Sequence, residues 1–279
     1  MPPPLSRLRA RAHVGLDFFD RTAPAPPPPP SGLVDSIHDL AQPEVDTHLV
    51  PPAVVAFFEQ TGSLELLIRP RWLRGFRLAS RLFRALAGRL GQLCMPLAPA
   101  RVFTRIAPLD DAVDGRPGAR ACLRSYADGA PMQVVAYATS PSPAGPLLSV
   151  AFPFPLCNLN GLLRLAPAGL DPQRRLAVCL TSEPAPGAGD HAGVWLVFPW
   201  FRLRTPFGEA MWLWDADSPL VPPDLAPELF PGTTLVSRHE QTLFGVPFAR
   251  HSYYFRPIEG AAVRAAARGS AAAPGDGAG

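Results

Sequence analysis

Apolar residues keep two different spacings along this chain, and the change falls near Pro99. Upstream, Trp72, Phe76, Ala79, Phe83, Leu86, Leu90 and Leu93 recur at alternating four- and three-residue steps, which place them on one face of a helix. Arg74, Arg77, Arg81 and Arg84 project from the other side. Gly75, Gly88 and Gly91 weaken the ends by about 1 kcal/mol each relative to alanine, and Pro96 disfavours helical geometry at Met95, so the secure part is 76–90. Shorter helices are expected at 33–40 and 52–61, the second opened by Pro51 and Pro52 and closed by Gly62. LELLIRP at 64–70 reads as a strand.

From Ala100 the period becomes two, giving strands at 100–106, 119–126, 132–139, 146–152, 160–165, 174–181, 193–201, 209–215, 233–240 and 248–256, with a helical turn near 224–230. Asp128-Gly129, Ala144-Gly145 and Asp171-Pro172 make connections too short for helical crossovers, so the sheet is expected to be antiparallel. Leu176, Val178 and Leu180 share one face, whereas GVWLVFPWF is apolar on both, as in a strand that is central or faces a cavity. The fold class that follows is α+β: N-terminal helices packed on a curved antiparallel sheet or partial β-barrel of about ten strands. Helix-grip and lipocalin-like cups fit the same pattern. Residues 1–31 end in a polyproline stretch and are expected to form a disordered arm, 32–260 a single domain, and 261–279 a disordered Ala/Gly-rich tail.

Composition narrows the chemistry. All 26 basic residues are arginine, which excludes Schiff-base catalysis, lysine general bases and the phosphate loop ending in GK[ST]. Nine arginines and no carboxylate lie between Glu65 and Asp110, while the remainder sets 17 arginines against 23 acids. A basic pole is therefore expected, with Arg74, Arg77, Arg81 and Arg84 as a docking surface for an anionic membrane or an acidic protein. Nucleic acid is a poorer partner, because no exposed aromatics interleave with these arginines. Cys94, Cys122, Cys157 and Cys179 are widely spaced, the pattern of reduced thiols in a cytoplasmic protein rather than a zinc or disulfide framework. No apolar h-region follows the N-terminal arginines and no run is long enough to span a bilayer.

FFEQTGSLELLIRPRW, FRLASRLF and LCMPL, then FPFPLCNLNGLLRLAP, then SRHEQTLFGVPFARHSYYFRP together resemble a family of uncharacterised bacterial proteins. The resemblance covers roughly 50–256. It supports the domain limits and implies no activity, cofactor or site residue.

Candidate chemistry is sparse. His38, Asp39, Glu44, Asp46 and His48 crowd into one stretch, but adjacent residues and extended spacing do not converge them on a metal, and a polar entry segment is the simpler reading. His239, Glu240 and His251 lie on the last two strands, where His239 and Glu240 point to opposite faces. Neither GxSxG nor GxGxxG occurs, and no cofactor is implied. What remains is aromatic supply: if the curled sheet leaves a void, Trp195, Trp212, Trp214, His251 and Tyr253 are its expected lining. The expected function is non-catalytic binding of a small apolar or lipid-like ligand, with a protein-interaction module and an enzyme with a His/carboxylate or metal site as alternatives. Phe83 is expected in the core, with the helix stripe against the sheet contributing on the order of 10 kcal/mol.

Overall fold

In the computed structural model, residues 3–22, 31–73, 75–185 and 191–258 are described. Twelve strands carry the fold: β1 (Leu64–Trp72), β2 (Ala100–Pro108), β3 (Arg120–Tyr126), β4 (Pro131–Ser140), β5 (Leu147–Pro153), β6 (Asn158–Leu170), β7 (Leu176–Thr181), β8 (Gly193–Val197), β9 (Arg202–Arg204), β10 (Phe207–Asp215), β11 (Leu235–Leu243) and β12 (Val246–Pro257). Hairpins pair neighbours in sequence, and two long-range pairings close the ring. β1 runs antiparallel to β12 from Leu64↔Pro257 to Trp72↔Ala249, and β10 meets β7 at Ala210↔Thr181. The result is a closed antiparallel barrel of ten strands, ordered β5-β4-β3-β2-β1-β12-β11-β10-β7-β6 and back to β5. β8 pairs with the first part of β6, Asn158 to Leu162, along the edge whose later part, Arg164 to Leu170, pairs with β7, and β9 extends β8. The expected antiparallel sheet is present, but it closes completely instead of partially.

Alternation sorts the two faces of the wall. Leu66 and Ile68 of β1, Cys122 of β3, Val150 of β5, Leu163 of β6, Val178 and Leu180 of β7 and Phe255 of β12 form the inner cluster. Ala121, Leu123, Val134, Ala136 and Ala151 form a separate outer cluster.

The two ends are closed differently. At one, residues 31–60 form a plug: a 3₁₀ turn Ile37–Leu40, a second at Thr47–Leu49 and α2 (Pro52–Glu59) bury Leu33, Ile37, Leu40, Val54, Phe57 and Phe58 in the inner cluster. Phe57 meets Phe255 edge-to-face at 5.3 Å. A Cβ on Gly32 would lie 2.2 Å from the Glu59 carbonyl carbon, so the start of the plug packs backbone to backbone against the end of α2. The helix expected at 33–40 shrinks to one turn because Ser36 and Asp39 cap each other across it.

At the other end lies α3 (Arg77–Leu90), whose C-terminus is fixed. Gly91 adopts φ +66°, and a Cβ there would sit 2.5 Å from the His13 ring. Gln92, fully buried, donates to the Val134 and Pro153 carbonyls and accepts from the Val134 N–H. Arg84 turns inward and donates to the Met95 carbonyl at 2.7 Å.

Contrary to expectation, α3 does not lay its whole apolar stripe on the sheet. It buries only Ser80 and Ala87. Phe83 is 42% exposed, and Leu78, Leu82 and Leu86 face solvent at 69%, 62% and 58%. Leu78 and Leu82 widen the apolar surface beyond the stripe, and spacing alone does not tell that the helix turns Ser80 and Ala87 inward instead.

The N-terminal arm is a further correction, since residues 3–22 are part of the fold. Leu8, Val14, and Phe18 and Phe19 of α1 (Phe18–Thr22) are buried against the outer faces of β3, β4 and β5. Asn158 donates to the Ser6 and Leu8 carbonyls. Ser6 also donates to Asp114, in the short α4 (Asp111–Asp114), whose fully buried carboxylate grips Arg116. The polyproline residues 23–30 and the tail from 259 lie outside the described residues.

Deleting residues 1–22 removes the large buried side chains Leu8, Val14, Phe18 and Phe19, worth about 1.5 to 3 kcal/mol each before ordering entropy is offset. The expected outcome is a melting temperature at least about 5 °C lower. An unchanged thermal unfolding curve would show that the arm contributes nothing.

Candidate functional site

Inside the barrel, between the Leu33 and Phe57 side chains of the plug and Phe76, Ala79 and Phe83 at the rim, lies a cavity of about 550 Å³. Its wall is mainly aliphatic and aromatic: Leu148, Val150, Phe152, Leu159, Leu163, Leu180, Val194, Leu196, Met211 and Phe248 contribute. That volume falls within the roughly 300–1,000 Å³ of small-molecule sites. A second groove of about 770 Å³ runs between α3 and residues 96–101 and 126–131, with Arg84, Arg101, Tyr126 and Asp128 on its lining.

Apart from Ser80 on α3 and Gln241 on β11, the cavity's polar groups are neighbours. Glu209 reaches the cavity from β10, Arg124 from β3, Gln133 and Tyr137 from β4, His239 from β11 and Tyr253 from β12. His239 links two of them: its Nε2 lies 3.1 Å from Glu209 and its Nδ1 lies 3.3 Å from the Tyr253 hydroxyl. In the neutral tautomer that satisfies both contacts, Tyr253 O–H donates to Nδ1 and Nε2–H donates to the carboxylate. Burial pushes the Tyr137 and Tyr253 phenols well above their usual range, so both stay protonated. Burial also raises the Cys122 thiol and pushes Cys179 up to about 12, which leaves neither as a thiolate nucleophile at neutral pH.

The residues expected to line a void fall on both sides of the wall. Tyr253 lines the cavity. His251 stands beside it, fully buried and edge-on to Trp72 at 5.3 Å. Trp212 and Trp214 point outward, packing with Leu225, Phe230 and Tyr254, and Trp195 packs outside with Leu147 and Leu162. Along β10 the inward positions are Glu209, Met211 and Leu213, and the tryptophans occupy the alternate ones. Of the expected docking arginines, Arg77 and Arg81 are exposed, Arg84 is turned in, and Arg74 lies outside the described residues.

His239 does pair with a carboxylate, but with Glu209 rather than Glu240, which binds Arg250 on the outer face. Glu44 pairs with Arg164, Asp39 and Asp46 cap their 3₁₀ turns, and the His38 and His48 rings lie 4.9 Å apart with His38 on Thr47. Among the described residues no His/Cys/Asp/Glu group is arranged to hold a metal.

Sequence reasoning missed Glu209 and Arg124. The signal for Glu209 was available, since it shares its alternate positions with Met211 and Leu213. Arg124 shares its face with Cys122, and nothing in RACLRSY marks that face as the inner one.

No family model matches the chain, and no solved structure matches it. It is similar to the "Uncharacterized membrane protein YndJ" of Bacillus subtilis (strain 168), at 22% identity over 161 residues, or 57% of this chain. The alignment spans 30% of that protein's length, so the chain covers well under two thirds of the relative. The resemblance to an uncharacterised bacterial protein therefore stands and assigns no activity. No helix among the described residues is long and apolar enough to cross a membrane.

One titration follows from this geometry. Burial, aided by His239, holds His251 down at about 3, from an ordinary value of 6.5. Its Nδ1 accepts the Arg71 N–H while its Nε2 has no partner. Below pH 6.5 the unfolded chain binds a proton that the native state refuses, so stability is full above that pH and falls as pH drops. Unfolding free energy should decline by about 1.4 kcal/mol per pH unit between pH 6.5 and roughly pH 4, where carboxylates begin to contribute. The same denaturation series on His251→Phe should lack this slope. An identical slope in both proteins would contradict a neutral buried imidazole.

Proposed function

We propose that this protein binds one small apolar, lipid-like molecule inside the barrel and meets an anionic membrane with the rim that carries α3. The observation that carries the first part is the cavity: about 550 Å³, lined mainly by apolar side chains, with a linked cluster of polar groups at Glu209, His239 and Tyr253.

Support for the second part comes from where exposed apolar residues gather. Leu78, Leu82 and Leu86 of α3, Leu156 of the β5–β6 hairpin, Trp200 of the β8–β9 hairpin (88% exposed) and Phe244 of the β11–β12 hairpin (79% exposed) all stand at the α3 end of the barrel. Phe244 and Gly245 both have positive φ, the geometry of a two-residue hairpin that holds the aromatic ring at its tip. Arg69, Arg71, Arg77, Arg81, Arg89 and Arg202 belong to the same end, and none joins an ion pair among the described residues. Apolar tips between unpaired cations suit the interface of an anionic bilayer, where each arginine contributes roughly 1 kcal/mol. The relative's name describes a membrane protein, which is in keeping with this setting.

The chain Glu209–His239–Tyr253 favours a second reading, acid–base chemistry on the bound molecule. Chemical conversion of a bound ligand during incubation would move the balance to that reading.

Titration with the uncharged fluorophore N-phenyl-1-naphthylamine should give saturable one-to-one enhancement. Ala79→Trp, which fills the mouth from an exposed rim position, should weaken it at least about tenfold. Absence of saturable enhancement in the wild type would refute the cavity reading. In co-sedimentation with phosphatidylglycerol-containing vesicles at low salt, the wild type should pellet and the triple variant Leu78→Ser, Leu82→Ser, Leu86→Ser should not. Wild-type protein that stays in the supernatant would refute membrane docking.

A further inference from the structure

The inner face of β3 carries Cys122, Arg124 and Tyr126 in alternation. Arg124 is 6% exposed, lines the cavity, and is set against Thr104 of β2 and Gln133 of β4 in the sheet register. Its Nε has no hydrogen-bond partner, and it joins none of the ion pairs among the described residues. The other buried arginines are compensated: Arg116 by Asp114, Arg120 by Asp35. Arg124 faces Cys122, Tyr137 and Tyr253, all of them protonated at neutral pH, so none supplies a counter-charge. The nearest acidic chemistry in the cavity, Glu209, is engaged by His239.

A buried guanidinium without an anion is costly, and an arginine stays charged because it does not lose its proton in a protein. A fold keeps such a group where something negative is meant to meet it.

We propose that Arg124 is the head-group anchor of the cavity and that the ligand is a long-chain carboxylic acid, bound as its carboxylate, with the tail running toward the rim. The inference rests on the apolar-ligand reading above and adds the class of ligand. A carboxylate matches the guanidinium fork in two parallel hydrogen bonds, and the Tyr137 phenol beside it is a further donor. A phosphate dianion fits less well, since one cation is present and Glu209 lines the same cavity.

The test measures displacement of N-phenyl-1-naphthylamine from the full chain by dodecanoate, dodecanol and dodecylamine, in the wild type and in Arg124→Gln. Dodecanoate should displace at least about tenfold more tightly than dodecanol from the wild type. Arg124→Gln should erase that difference, chiefly by weakening dodecanoate. The ligand-free melting temperature of Arg124→Gln should rise, because an unpaired buried charge has gone, whereas a merely structural arginine would lower it. Equal displacement by acid and alcohol in the wild type overturns the anchor and leaves the apolar-ligand reading intact. A preference for the amine overturns it in favour of Glu209. Displacement by none of the three sinks both readings. Should Arg124→Gln fail to fold, the comparison of acid with alcohol on the wild type still decides.

Discussion

Ten antiparallel strands closed into a ring enclose more width than their own inward side chains fill. In a barrel of eight strands the interior is just wide enough for side chains to meet, and diameter grows with strand number. Two features of this protein answer that geometric surplus. The plug of residues 31–60 sends Leu33, Phe57 and Phe58 into one end, and α3 crosses the other. What neither fills is the cavity. Its apolar wall and its polar cluster are consequences of strand alternation applied to a ring left partly empty.

Charge is distributed with the same logic. On the outer wall the buried ionic groups are neutralised: Asp114 with Arg116, Glu65 with Arg101 and Arg256, Asp171 with Arg175. The arginines at the α3 rim stay unpaired in solvent, and Arg124 stays unpaired inside. Fully buried carboxylates on the outer side are thus matched by arginines, whereas the buried Arg124 is not. Arg124 inside the barrel and the exposed leucines of α3 are the places where the sequence departs from a fully compensated, fully buried fold.

Local structure was largely legible in the sequence. Period-two alternation located nearly every strand, and Asp128-Gly129 and Asp171-Pro172 marked hairpins that the chain makes. Closure was not legible, because Leu64 finds Pro257 far along the chain and no local pattern encodes that pairing. Alternation also identifies two faces without saying which is inside. Trp212 and Trp214 were therefore assigned to the void, although Met211 and Leu213 face it and the indoles serve an outer cluster with Phe230 and Tyr254. The same ambiguity hid Glu209 and Arg124. For α3, apolar residues on more than one side made the buried face unreadable from periodicity, and only packing against the rim shows that Ser80 and Ala87 are the contact. The N-terminal arm was obscured by its proline-rich neighbour, although Phe18 and Phe19 hold it to the wall.

The central claim is that the barrel is a container for one apolar molecule. Native mass spectrometry of the protein purified gently from its own cell extract tests it most directly. The account predicts a one-to-one complex whose added mass is released by organic extraction and belongs to a lipid-like molecule. A bare chain mass, under conditions that preserve weak complexes and after incubation with cellular lipid extract, would contradict it.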